Sequence, residues 1–224
     1  MRFLVLLLAL IMVPAFAFAR MEGGMERYRL TGFYGYGSLP AGDVNNYINS
    51  QVTTPKWNNL SNALSYGAEF GYMLNQRFEL QFNYEQQWAK NSVNTTVPPV
   101  TNGGVELYMN SVWAGLNMFL VEHGPFHLSV GALAGYPIYA HTTVISSTWQ
   151  QYDSAFTPMG QVQAKIAIML SRFLSIDLEG GYQYALLGAI SQGGGTTGNL
   201  KNSGANVNMD FSGWRGKGGL SFHF

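Results

Sequence analysis

Cysteine is absent from the 224 residues. That excludes disulfides, thiolate metal sites and a lipid anchor on a cleavage-point cysteine. Charge is scarce as well: 12 basic and 12 acidic residues cancel to zero and make up 11% of the chain, against about 25% in typical soluble domains. A nucleic-acid binder needs a basic surplus to neutralise phosphates, so nucleic acid is not an expected partner. The four histidines are scattered, and Asp43-Val44-Asn45-Asn46 lacks the distal glutamate of a calcium loop. Gly193-Gly194-Gly195 precedes no helix and reads as a flexible spacer. No metal or cofactor is expected. What the chain has instead is 13 Tyr, 14 Phe, 5 Trp and 27 Gly. Low charge with abundant aromatics and glycine suits a greasy exterior that is not built of helices.

The N-terminus carries Arg2, an apolar run from Phe3 to Phe18 broken by Pro14, and the small-x-small site Ala17-Phe18-Ala19. This is the pattern of a secretory signal peptide over residues 1–19, with a single mature domain over 20–224. The run is short for a spanning helix.

Beyond Arg27 a period of two dominates. From Arg77 to Trp88, Phe78, Leu80, Phe82, Tyr84 and Trp88 share one face, with Gln86 the exception, while Arg77, Glu79, Gln81, Asn83, Glu85 and Gln87 share the other. A helix would scatter these charges; a strand collects them on one side. The same alternation marks strands near Arg27–Tyr36, Ala63–Leu74, Leu107–Leu120, Phe126–Tyr139, Phe156–Leu170, Leu174–Leu187 and Phe211–Phe224. Tight connections at Asn75-Gln76, Val121–Pro125 and Ser171–Phe173 alternate with long ones near Gly37–Asn62, Ala89–Gly104, Ala140–Ala155 and Gly188–Asn208, which read as polar loops. Eight strands with short turns at one end and long loops at the other predict an all-β, eight-stranded, antiparallel up-and-down transmembrane barrel, with periplasmic turns and extracellular loops. Two rivals are a helical membrane protein, opposed by Pro125, Pro137 and the charges in the other segments, and a soluble sandwich, opposed by the export signal and the terminal Phe224.

The polar faces collect Arg27, Arg29, Arg77, Lys165, Arg215 and Lys217 against Glu69, Glu79, Glu85, Asp177 and Glu179. A charge facing lipid at midplane costs about 2–4 kcal/mol for Arg or Lys, and inward charges escape that cost by pairing. Eight strands leave an interior filled by side chains, so a cross-linked polar plug is expected, with Arg29 or Arg215 meeting Glu69 or Glu79. A narrow gated ion path is the alternative use of the same charges. A lipid A-modifying enzyme is a second alternative: His127 and Ser129 share an inward face, as a base and nucleophile would, but near a short turn. His141, Thr142, Thr143, Ser146 and Ser147 at the far end are a thinner set. The chain is not expected to be an enzyme.

In its Gly-aromatic strands, such as Tyr66-Gly67-Ala68-Glu69-Phe70-Gly71-Tyr72, and in its ending Gly219-Leu220-Ser221-Phe222-His223-Phe224, the chain resembles the small outer-membrane barrel superfamily. That superfamily includes the OmpA transmembrane domain, OmpX and the Opa-type surface antigens. The ending resembles the family's barrel-assembly signal, with Gly219, Phe222 and Phe224 in place, although Gly218 stands where a polar residue is commoner. The resemblance implies an outer membrane of the Gram-negative type, contact with lipid, lipopolysaccharide and the barrel-assembly machinery, and a structural or adhesive role through the outer loops. Trp57, Trp149 and Tyr152 are candidate contact anchors or girdle aromatics for a host or cell-surface ligand. The peptidoglycan-binding domain that follows the barrel in OmpA is not expected after Phe224.

Overall fold

In the computed structural model the described residues are 27–51, 59–94, 102–145, 149–154, 157–192 and 199–224. Eight long strands make the membrane wall. They are β1 (Tyr28–Ser38), β2 (Asn62–Met73), β3 (Phe78–Asn94), β4 (Asn102–His123), β5 (Phe126–Ile145), β7 (Met159–Ser171), β8 (Leu174–Tyr184) and β13 (Gly213–His223). Each pairs antiparallel with its neighbours in the wall, and β13 returns to β1 from Arg29↔His223 through Gly37↔Arg215, which closes the barrel. Closure leaves no unpaired edge in the wall, the condition for crossing lipid with strands. Among the described residues no helix is long and apolar enough to cross a membrane.

Local chemistry sets the short-turn end. The Asn75 side-chain oxygen accepts from the backbone N–H groups of Arg77 (2.8 Å) and Phe78 (3.0 Å), folding the β2–β3 turn back on itself. Between β4 and β5 the turn needs Gly124 at φ +58°, a conformation L side chains rarely adopt.

The strand alternation sorts the side chains. Leu30, Tyr34, Phe82, Leu116, Val162, Leu178 and Phe222 face outward, whereas Arg29, Glu69, Gln81, Asn117, Lys165, Asp177 and Lys217 are buried inside. Outward apolar side chains in a closed wall are what lipid, rather than water, solvates.

The far end departs from the expected polar loops. The stretch Gly37–Asn62 contains a helix, α1 (Gly42–Gln51). Much of Ala89–Gly104 and Ala140–Ala155 is extra strand: β3, β4 and β5 run on, and β6 (Trp149–Ser154) pairs with the end of β5 from His141↔Asp153 to Ile145↔Trp149. The described part of Gly188–Asn208 contributes to β9 (Leu186–Gln192), to a hairpin of β10 (Lys201–Asn202) and β11 (Ala205–Asn206), and to β12 (Asn208–Asp210). The wall thus continues upward as β5–β6–β9–β12. The cause is apolar: Leu39, Val44, Ile48, Leu60, Leu187, Ile190, Val207, Met209 and Phe211 are all buried in one cluster with inward residues of β4 and β5. Burying such side chains is worth about 1.5–3 kcal/mol each, enough to order connections that composition alone reads as loops. Asn45 ties the helix to the segment leading into β2, its amide donating to the Leu60 carbonyl (2.9 Å) and its oxygen accepting from the Leu60 N–H (2.8 Å).

Candidate functional site

The chemistry lies inside the barrel, in two stacked layers. The layer in the short-turn half is polar. Arg29, on β1, uses every N–H. Its Nε and Nη2 hold Glu79 at 2.9 and 2.7 Å, Nη2 also meets Glu69, and Nη1 reaches Thr31 (2.6 Å) and Asp177 (3.2 Å). The two bonds to Glu79 form the fork-on-carboxylate geometry that makes arginine pairs strong. Lys165 on β7 pairs with Glu69 and lies 3.8 Å from Glu179. Lys217 on β13 sits 3.3 Å from Glu179 and 3.2 Å from Glu85. Arg215 donates to Glu85 at 2.8 Å and to Gln87 at 2.5 Å. The ions therefore form one chain up the barrel axis, Asp177–Arg29–Glu69–Lys165–Glu179–Lys217–Glu85–Arg215.

Amides fill the spaces between the ions. Asn117 donates to Glu79 (2.9 Å), Gln163 to Gln81 (2.9 Å) and Gln161 to Glu179 (3.1 Å). At the top, Gln87 donates to Gln183 (3.0 Å), whose own amide donates to the Phe211 carbonyl (3.3 Å). Buried charge is tolerable only with such pairing, since each ion loses several kcal/mol of hydration.

Above Phe211 the interior turns apolar. Trp113, Leu133, Met109, Leu107, Leu187 and Met209 are between 0 and 5% exposed and close the upper half under α1. The expectation of a polar plug is therefore corrected to half a plug. The inward parity continues beyond the charged rows, but past them it carries mainly apolar side chains, with Thr142 a polar exception.

Of the sequence-predicted interior residues, Arg29, Glu69, Glu79, Glu85, Lys165, Asp177, Glu179, Arg215 and Lys217 are brought together. Arg29 takes both Glu69 and Glu79, whereas Arg215 takes Glu85. Arg77 does not join them. It has the right parity but falls in the β2–β3 turn, one residue before β3, and is exposed. Arg27 is also exposed, with its guanidinium 6.0 Å from the Tyr72 ring centre. Residues missed by charge-based reading are the amides Gln81, Gln87, Asn117, Gln161, Gln163 and Gln183; their shared inward parity was the available signal.

The terminal residues lie where β13 meets β1. Phe222 is exposed on the outer face, and the Phe224 ring stacks on Tyr28 at 5.7 Å. Gly219 is inward, where a Cβ would come within 2.8 Å of the Gly32 carbonyl. His127 and Ser129 line a cavity at the short-turn mouth. His141 lies on the outside near the other end, with its ring 5.0 Å from those of Tyr108 and Tyr139. Thr142 is buried inward and Thr143 is half-buried. Trp57, Ser146, Ser147, Phe156, the Gly193–Gly195 run and the signal-peptide residues 1–19 lie outside the described residues. Trp149 and Tyr152 belong to β6, and their side chains are likewise outside those described.

A closed wall of eight antiparallel strands, greasy outside and ion-paired within, with short turns at one end and long connections at the other, is the fold of the small outer-membrane barrels. No family model matches the sequence, and no curated protein matches it. Solved structures do. Neisserial surface protein A matches at 13% identity and a TM-score of 0.51, over 88% of this chain and 97% of that one. The outer membrane protein OprG from Pseudomonas aeruginosa matches at 11% identity and a TM-score of 0.58, over 89% and 96%. The attachment invasion locus protein Ail of Yersinia pestis matches at 12% identity and a TM-score of 0.47, over 89% and 100%. At these identities the likeness is one of fold, and function must be argued from the site.

Proposed function

We propose that this protein is a non-catalytic surface-interaction barrel of a Gram-negative-type outer membrane, with an interior that is structural and a loop end that makes contact with a host or cell-surface ligand. One observation carries the reading. The interior is filled twice over, by the ion chain below and by the apolar cluster above, so the ordered structure at the loop end is the part free to act. Extra strands, α1 and the β10–β11 hairpin form a folded platform there, and a rigid platform loses less entropy on binding than a flexible loop. Lipid and lipopolysaccharide cover the outward belt, and the terminal Gly219, Phe222 and Phe224 serve the assembly machinery. The gated-path alternative is disfavoured by the apolar upper layer. The lipid A enzyme is disfavoured because His127 and Ser129 sit at the periplasmic mouth, away from the outer leaflet.

The test replaces the β10–β11 hairpin, and separately α1, with short Gly-Ser links in cells displaying the protein. Heat-modifiable gel migration checks that the barrel still folds. Adhesion to matrix-coated or cell-coated surfaces should fall in at least one replacement. Adhesion unchanged in both, with normal display, overturns the reading.

A further inference from the structure

The periplasmic mouth holds a cavity of about 310 Å³ whose floor includes Arg29, Glu79 and Asp177. We propose that it is a binding site for a small apolar carboxylate, a role separate from the surface contacts argued above.

The hydrogen bonds already made fix the sign of the ligand. The acceptors on the floor are in use. Glu79 takes Arg29 on both oxygens and Asn117 on one. Asp177 takes Ser175 (2.7 Å) on one oxygen, and Ser221 (2.7 Å) and Arg29 on the other. The groups left over can donate. The His127 ring meets Phe119 edge to face at 6.4 Å and has no hydrogen-bond partner among the described residues. The Ser129 hydroxyl lines the cavity, also with no hydrogen-bond partner among the described residues. Arg172, in the β7–β8 turn, carries no ion pair among the described residues and lies over the Phe173 ring at 4.3 Å. With the carboxylates saturated, Ser129 and His127 able to donate or accept, and Arg172 able only to donate, the capacity left over favours a ligand that accepts. Arg172, with Arg29 and Lys165 on the lining, disfavours a cation.

The walls fix the rest. Met73, Phe119, Ala167 and Met169 give the cavity an apolar side, and methionines adapt readily to varied apolar bodies. The volume lies at the lower edge of the ~300–1,000 Å³ range of small-molecule pockets. That restricts the ligand to a single ring or short chain, with its carboxylate toward His127, Ser129 and Arg172. Such a group reaches the periplasmic side either as a free acid or as the carboxyl end of a peptide.

The test uses the full mature chain refolded in lipid nanodiscs. 3-Phenylpropionate is titrated by calorimetry, with His127 ring resonances followed by NMR. The matched probes are 3-phenylpropan-1-ol and 3-phenylpropylamine, which keep the body and change the head. Saturable binding of the acid is expected, with the alcohol and the amine at least about tenfold weaker. Arg172→Gln, in an exposed turn where folding is unaffected, should weaken the acid about tenfold and leave the alcohol unchanged; Ser129→Ala should act in the same direction with a smaller effect. N-acetylphenylalanine binding tighter than 3-phenylpropionate points to a peptide end, and the reverse order to a free acid. Equal binding of acid and alcohol, tighter binding of the amine, or an Arg172→Gln protein that binds the acid as the parent does, overturns the proposal.

Discussion

Arg29→Met removes the most connected cation in the barrel while roughly conserving its length. The three carboxylates around it are not left equal. Glu69 keeps Lys165, and Asp177 keeps the hydroxyls of Ser175 and Ser221. Glu79 is left with the Asn117 amide as its one hydrogen bond and with no ion pair among the described residues, and it is 2% exposed. Breaking a buried pair by removing one partner costs about 3–5 kcal/mol, because the other charge stays buried. The loss here is concentrated on Glu79, so about 4 kcal/mol is expected. If that attribution is right, Glu79→Gln added to Arg29→Met should recover roughly half of the loss, a coupling that a double-mutant cycle isolates. Urea unfolding in lipid vesicles, read by tryptophan fluorescence and by heat-modifiable migration, measures the parent, both single variants and the double variant. An Arg29→Met barrel within about 1 kcal/mol of the parent, or a double variant no more stable than Arg29→Met, refutes the reasoning that Arg29 neutralises Glu79.

Packing sets the other expected outcomes. Gly135 on β5 leaves room for Trp113, because a Cβ there would overlap the indole ring; Gly135→Ala should cost about 1–3 kcal/mol in the same urea assay. Gly32 faces outward, and a Cβ added there would meet nothing within 4 Å, so Gly32→Ala should stay within about 0.5 kcal/mol. Leu187, fully buried in the apolar layer, should lose about 2–5 kcal/mol as Leu187→Ala and expose the β10–β11 hairpin to trypsin at Lys201, which limited proteolysis reads directly.

The membrane wall was legible because its code is short. A period of two needs only neighbouring residues, and every charged row from Arg29 to Lys217 obeys it. Arg77 shows the limit of that code: parity holds one residue beyond the strand, where Asn75 has already turned the chain and the guanidinium reaches water. The pairing of Arg215 with Glu85 rather than Glu69 or Glu79 depends on shear, a property of the closed barrel that no single strand contains. The loop end was hidden for a different reason. Val44 and Ile48 lie about one turn apart on one face of α1, with Ala41 just before its first residue, but the asparagines and serine around them make the stretch read as coil. Their burial depends on Leu187, Met209 and Phe211 from far along the chain, so the helix is a product of tertiary packing rather than of local propensity.

The central claim is that the barrel is sealed, by ions below and by apolar side chains above. Single-channel recording of the refolded mature chain in planar bilayers tests it most directly. The sealed interior predicts an unbroken baseline at neutral pH across the full range of applied voltage. Reproducible conductance steps that scale with the amount of protein inserted would contradict it.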